Sequence, residues 1–103
     1  MIAQQFYAEA RQRWAEALEL SLQESESAIY AVQEILDRAL LAEPEHRSAR
    51  WLLALLQAQR GSYPQALLLL QGLGQPELES LLKAAQPKAI QAEVERHWNL
   101  SDW

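Results

Sequence analysis

The chain is predicted to be all-α, built as stacked antiparallel helical hairpins, and three observations carry that prediction. Its 103 residues include no Thr, two Val and four Ile, while Leu, Ala, Gln, Glu and Arg make up most of the sequence. Those abundant residues lose little rotamer freedom in a helix, and little is left from which to build strands. Apolar positions recur at helical spacing rather than in alternation. Finally, Pro44, Gly61, Pro76 and Pro87 stand where that periodicity stops. With half the residues hydrophobic, a chain of this length is expected to form one compact domain with its own core.

The first helix is expected from about Ile2 to Gln23, a stretch without Gly or Pro, in a leading segment of residues 1–26. Phe6, Ala10, Trp14, Ala17, Leu18, Ser21 and Leu22 form its apolar stripe, and Glu9 pairs with Arg13 at i,i+4. Glu24-Ser25-Glu26-Ser27 then offers serine caps and acidic residues suited to a helix N-terminus. Ile29, Val32, Leu36, Ala39 and Leu40 continue as a second apolar face, closed by Pro44. A third helix is expected from Pro44 or Glu45 to Gln59 or Arg60, because proline suits a first turn and Gly61 supplies the exit. Trp51, Leu52, Leu53, Leu55 and Leu56 make its apolar surface wider than one stripe. Ser62-Tyr63-Pro64 opens a fourth helix ending near Gly72 or Gly74; no charged residue occurs from Gly61 to Pro76, so that helix is expected to be buried on most sides. Two short helices, about Glu77 to Ala85 and Lys88 to Trp98, follow Pro76 and Pro87 as a capping hairpin over 76–98, and residues 99–103 form a tail. Very short connections favour consecutive antiparallel hairpins; a closed four-helix bundle with two extra short helices is the competing architecture.

The formal charge of −5 and pI near 4.9 speak against a nucleic-acid partner, whose binding draws on clustered Lys and Arg. Absence of cysteine removes disulfides, thiolate catalysis and thiolate metal sites. Met1-Ile2-Ala3-Gln4-Gln5 carries no basic segment ahead of an apolar core, and no apolar run reaches the 18 or so residues that span a bilayer. The expectation is a soluble, cytoplasmic protein with no membrane partner and no cofactor.

Spacing adds a family resemblance. Val32 stands 34 residues before Ala66, and Ser27 stands 34 before Gly61. Ala39, Leu40 and Pro44 mark one boundary, Leu53-Ala54 lies in the next helix, and Gly61, Tyr63 and Ala66 follow at the turn and in the helix after it. On these residues the region 27–75 resembles the tetratricopeptide repeat family, with about two degenerate repeats. Small residues at Ala54 and Ala66 allow close helix approach, glycine takes the left-handed turn, and proline stops the preceding helix. Two positions depart from the family pattern: Glu19 where a core Leu is expected, and Gln57 at the usual aromatic position.

The resemblance implies a concave face formed by the first helix of each hairpin. Carried onto this chain, Ser48, Trp51, Leu55, Ala58 and Gln59 would line it, with Trp51 as an anchor or, alternatively, packed into the core among leucines. Leu67, Leu68, Leu69, Leu70 and Leu73 crowd the fourth helix; Leu69 marks either a subunit interface or, as the preferred reading, a helix sandwiched between the third and fifth helices. Trp98 and Trp103 bracket the C-terminal stretch and either dock back onto the domain, the preferred reading, or engage another molecule. Glu43 and Glu45 lie beside His46, and His97 lies four residues after Glu93; solvated helix-end charges account for both better than a metal or catalytic site. No serine sits in a nucleophile or phosphate-loop motif.

The function expected is a noncatalytic protein-protein interaction module, adaptor or chaperone-like, that binds a peptide or helix. The alternative is a structural protein that self-associates, and weak homodimerisation is expected because about two repeats are fewer than such stacking usually requires. A small enzyme ranks third.

Overall fold

A computed structural model describes residues 2–98 and is all-helical, with no strand among the described residues. Six helices run in order: α1 (Ile2–Glu19), α2 (Glu26–Ala42), α3 (Arg47–Gln59), α4 (Tyr63–Leu70), α5 (Pro76–Ala84) and α6 (Pro87–Trp98). The chain divides into two compact units, Met1–Leu52 and Leu53–Trp103, so that α3 begins in the first and ends in the second. No helix among the described residues is long and apolar enough to cross a membrane.

In the first unit α1 and α2 pack against one another. Six residues link them, which reach about 20 Å when extended. Returning to the start of an 18-residue helix would take about 27 Å, so the pair is an antiparallel hairpin. The buried stripe of α1 is Ala3, Tyr7, Ala10, Trp14 and Ala17. Its alternating four- and three-residue steps are those of a helix–helix seam, with small and large side chains in turn. Phe6 and Leu18, expected in the stripe, are only half-buried, and Tyr7 takes the core place instead. On α2 the buried set is Ile29, Val32, Ile35, Leu36 and Ala39, adding Ile35 to the expected face and leaving Leu40 half-buried.

The helix ends explain where the boundaries fall. Residue α1 stops at Glu19 rather than Gln23 because Ser21 enters the left-handed region at φ 58°. The Leu22 N–H then reaches the Ala17 carbonyl at 2.7 Å and the Ser21 N–H the Leu18 carbonyl at 3.1 Å, a Schellman closure made without glycine. Ser25 caps α2, its Oγ accepting from the Ala28 N–H at 3.4 Å. α3 starts at Arg47, two or three residues later than expected, because His46 is its cap.

From Leu52 to Ala58 every residue of α3 is buried, Gln57 included. Gly61, at φ 83°, ends the helix with the same closure as Ser21: the Ser62 N–H meets the Gln57 carbonyl at 2.8 Å and the Gly61 N–H the Ala58 carbonyl at 3.1 Å.

In the second unit α4 packs on α5 and α5 on α6. Prolines in the first turn start α4 and α5, where an N–H would have no helical partner. Beyond α3, the core here comprises Ala66, Leu70, Leu73, Leu78, Leu82, Ile90, Val94 and Trp98. The expectation that α4 is buried on most sides fails: Ala66 and Leu70 are buried, Leu67 and Leu69 are half-buried, and Leu68 is 63% exposed. A lack of charge along a helix shows that burial would be tolerated, and the number of faces covered depends on how many neighbours arrive.

Candidate functional site

The residues expected to line one concave face divide between the two units. Ser48 and Trp51 belong to the first, where Ser48 is exposed and Trp51 half-buried. Leu55, Ala58 and Gln59 belong to the second; Leu55 and Ala58 are buried, and the Gln59 side chain is half-buried. In that second unit Leu69 keeps part of its surface in solvent and Trp98 is buried at the end of α6. Trp103 lies outside the described residues.

One concave feature of the first unit runs along α1. A shallow groove of about 310 Å³ is lined by Gln4, Tyr7, Ala8, Arg11, Gln12 and Ala15. These positions recur at three- and four-residue steps, so they form one face of the helix beside the buried stripe, sharing Tyr7 with it. Ala8 and Ala15 add little bulk to the groove. Gln4 and Gln12 each offer an amide with two donors and an acceptor, and Arg11 adds a planar cation. Glu9, Arg13 and Glu16 lie off this face, and Arg13 is drawn to Glu9 at 3.5 Å. The signal for the groove in the sequence is therefore an alanine- and glutamine-bearing stripe without acidic residues on an otherwise charged helix.

His46 joins this face to the start of α3. Its Nδ1 accepts a hydrogen bond from the Ala49 N–H at 3.1 Å, and its carbonyl accepts from the Arg50 N–H at 3.0 Å, which are the two bonds of a helix N-cap. Its Nε2 lies 2.9 Å from Gln4 Oε1, and its ring stands 5.4 Å from that of Tyr7 at a 40° tilt. An N–H can only donate, so Nδ1 carries the lone pair and Nε2 carries the proton that Gln4 accepts. The expectation of a solvated helix-end charge gives way to a half-buried ring with both nitrogens engaged. Neighbouring Glu45 pairs with Arg50 at 3.3 Å.

In the second unit Glu93, Arg96 and His97 cluster on α6, with Glu77 of α5 3.8 Å from Arg96. The Arg96 hydrogen bonds, and after them its charge and His97, hold the Glu93 carboxyl below its ordinary range against some burial. Among the described residues no group of three His, Asp or Glu side chains gathers to hold a metal ion. Compared with known protein-family models, curated proteins and solved structures, the chain has no match.

Proposed function

We propose that the protein is a noncatalytic interaction module of tetratricopeptide-like helical hairpins that binds a peptide or helix of a protein partner, in an adaptor or chaperone-like role within the cytoplasm. The observation that supports this reading is the α1 groove. Its volume of about 310 Å³ is at the small end of ligand pockets, on the order of 300–1,000 Å³. Its lining pairs small side chains with amide groups matched to peptide bonds, and Arg11 suits a partner carboxylate or carbonyl. Ser48 and Trp51 extend the reading onto the start of α3. The net charge of −5 favours a protein over a nucleic acid.

The test is selection from a displayed library of random twelve-residue peptides, followed by calorimetry on Ala8→Trp, Ala15→Trp and Arg11→Glu. Enriched peptides should lose tenfold or more in affinity when the groove is filled or its charge reversed. Failure to enrich any peptide, or equal binding by all three variants, overturns the proposal.

A second reading, self-association, is favoured by the leucines of α4, where Leu68 is 63% exposed and Leu67 and Leu69 are half-buried. Light scattering distinguishes it: Leu68→Glu should leave a folded chain of lower mass if α4 joins two copies, and of unchanged mass if it does not.

A further inference from the structure

We propose that His46 is a proton-operated latch between the first turn of α3 and the groove face of α1, closed while the imidazole is neutral and opened by acid. That the latch regulates partner binding rests on the groove reading above; the latch itself rests on its own contacts.

Both ring nitrogens are committed in a way that leaves no place for a second proton. Nδ1 accepts from the Ala49 N–H, and Ala49 is fully buried, so that N–H has no water to turn to. Nε2–H donates to Gln4 Oε1 at 2.9 Å. Adding a proton at Nδ1 sets two donors against each other at a 3.1 Å separation. It also places a cation at a helix N-terminus, where the macrodipole opposes it.

The surrounding charges do not rescue a protonated ring in place. Glu43 and Glu45 sit in the α2–α3 link, Arg47 and Arg50 in the first turn of α3, and Tyr7 and Arg11 on α1. Glu45 is already engaged by Arg50, and Arg47 and Arg50 add positive charge to the turn that His46 caps. The carboxylates can stabilise an imidazolium that has swung into the link, away from Ala49. Histidine is the side chain whose charge ordinarily changes between about pH 5 and 8, so mild acid is the signal. Because Gln4 meets His46 and also lines the groove, opening the latch frees that lining side chain, while Tyr7 stays held in the α1 core stripe.

The test is an NMR titration from pH 8 to pH 5 of the unmodified chain and of His46→Asn, without any ligand. In the unmodified chain the Ala49 amide and the Gln4 side-chain amide should shift with the same midpoint as the His46 ring. Ala49 exchange protection, corrected for intrinsic rate, should fall about fivefold, the factor that one lost N-cap is worth. In His46→Asn, whose amide oxygen caps without titrating, Ala49 should show no such step. The latch is overturned if the ring titrates while Ala49 and Gln4 stay unchanged, if it stays neutral to pH 5, or if both proteins share the step. Failure of peptide selection at neutral pH would remove the groove reading and leave these signals as they are.

Discussion

Arg96 grips Glu93, one turn earlier on α6, through two hydrogen bonds: Nε to Oε1 at 3.2 Å and Nη2 to Oε2 at 2.7 Å. Its geometry is the fork of a guanidinium on a carboxylate, and the His97 Nε2 lies 3.3 Å from the same Oε2. Because Arg96 is largely in solvent, the pair tethers the helix surface more than it stabilises the fold.

The depressed Glu93 carboxyl has a pH consequence of definite sign. A carboxylate whose folded value is lowered contributes stability above its unfolded value and loses it as pH falls through the folded one. Urea midpoints should therefore decline in acid below the ordinary carboxylate range, and decline less in Glu93→Gln. Asp37 acts oppositely, since burial first and Glu34 second push its carboxyl up. Asp37→Asn should slightly raise the midpoint at neutral pH and leave it unchanged in strong acid.

Core and surface substitutions in the first unit should separate widely. Trp14 has no exposed surface and Leu41 is 84% exposed. Trp14→Ala should cost about 3–5 kcal/mol, close to the whole stability of a marginal domain, and thermal circular dichroism should show early melting. Leu41→Ala should stay within about 0.5 kcal/mol of the parent.

Two of the left-handed helix ends, Ser21 and Gly61, predict changes of opposite direction. Ser21 holds φ 58° with a side chain, whereas Gly61 holds φ 83° without one. Ser21→Gly should stabilise by about 0.5–1 kcal/mol, the left-handed cost of a side chain less the entropy of glycine. Gly61→Ala should destabilise by about 1 kcal/mol. Open space surrounds a Cβ built at Gly61, so that cost is conformational rather than steric. Thermal melts of the two variants check both signs.

At neutral pH, His46→Ala removes the cap of α3 together with the Gln4 and Tyr7 contacts. It should cost about 1 kcal/mol, a fall of about 4–8 °C in Tm for a domain of this size. His46→Asn should recover most of that loss, because an amide oxygen caps as well as an imidazole nitrogen. Equal melting of the alanine and asparagine variants would show that the cap bond adds nothing.

Much of the helical plan was legible in the residues alone. Pro76 and Pro87 begin α5 and α6, one residue ahead of the starts expected at Glu77 and Lys88. Proline and glycine act through their own backbone, so their effect is local and needs no neighbour to be read. The end of α1 was not legible for the same reason: Ser21 has no intrinsic preference for the left-handed region, and it goes there to complete two backbone hydrogen bonds.

What only the tertiary structure decided is which surfaces are covered and which polar groups find one another. Ser25 capping α2 could be expected from its residue type, whereas a histidine capping α3 could not. The Ala49 N–H fixes Nδ1 as an acceptor and leaves Nε2 to meet Gln4, 42 residues away, and that encounter exists only once α1 has been brought to the α2–α3 link. The groove is more local, since all six of its lining residues belong to α1, and packing decided only which of them stay exposed. Sequence determined the helices because their propensities and stops act within a few residues. The His46 contacts depended on the fold because such partners meet between segments far apart in the chain.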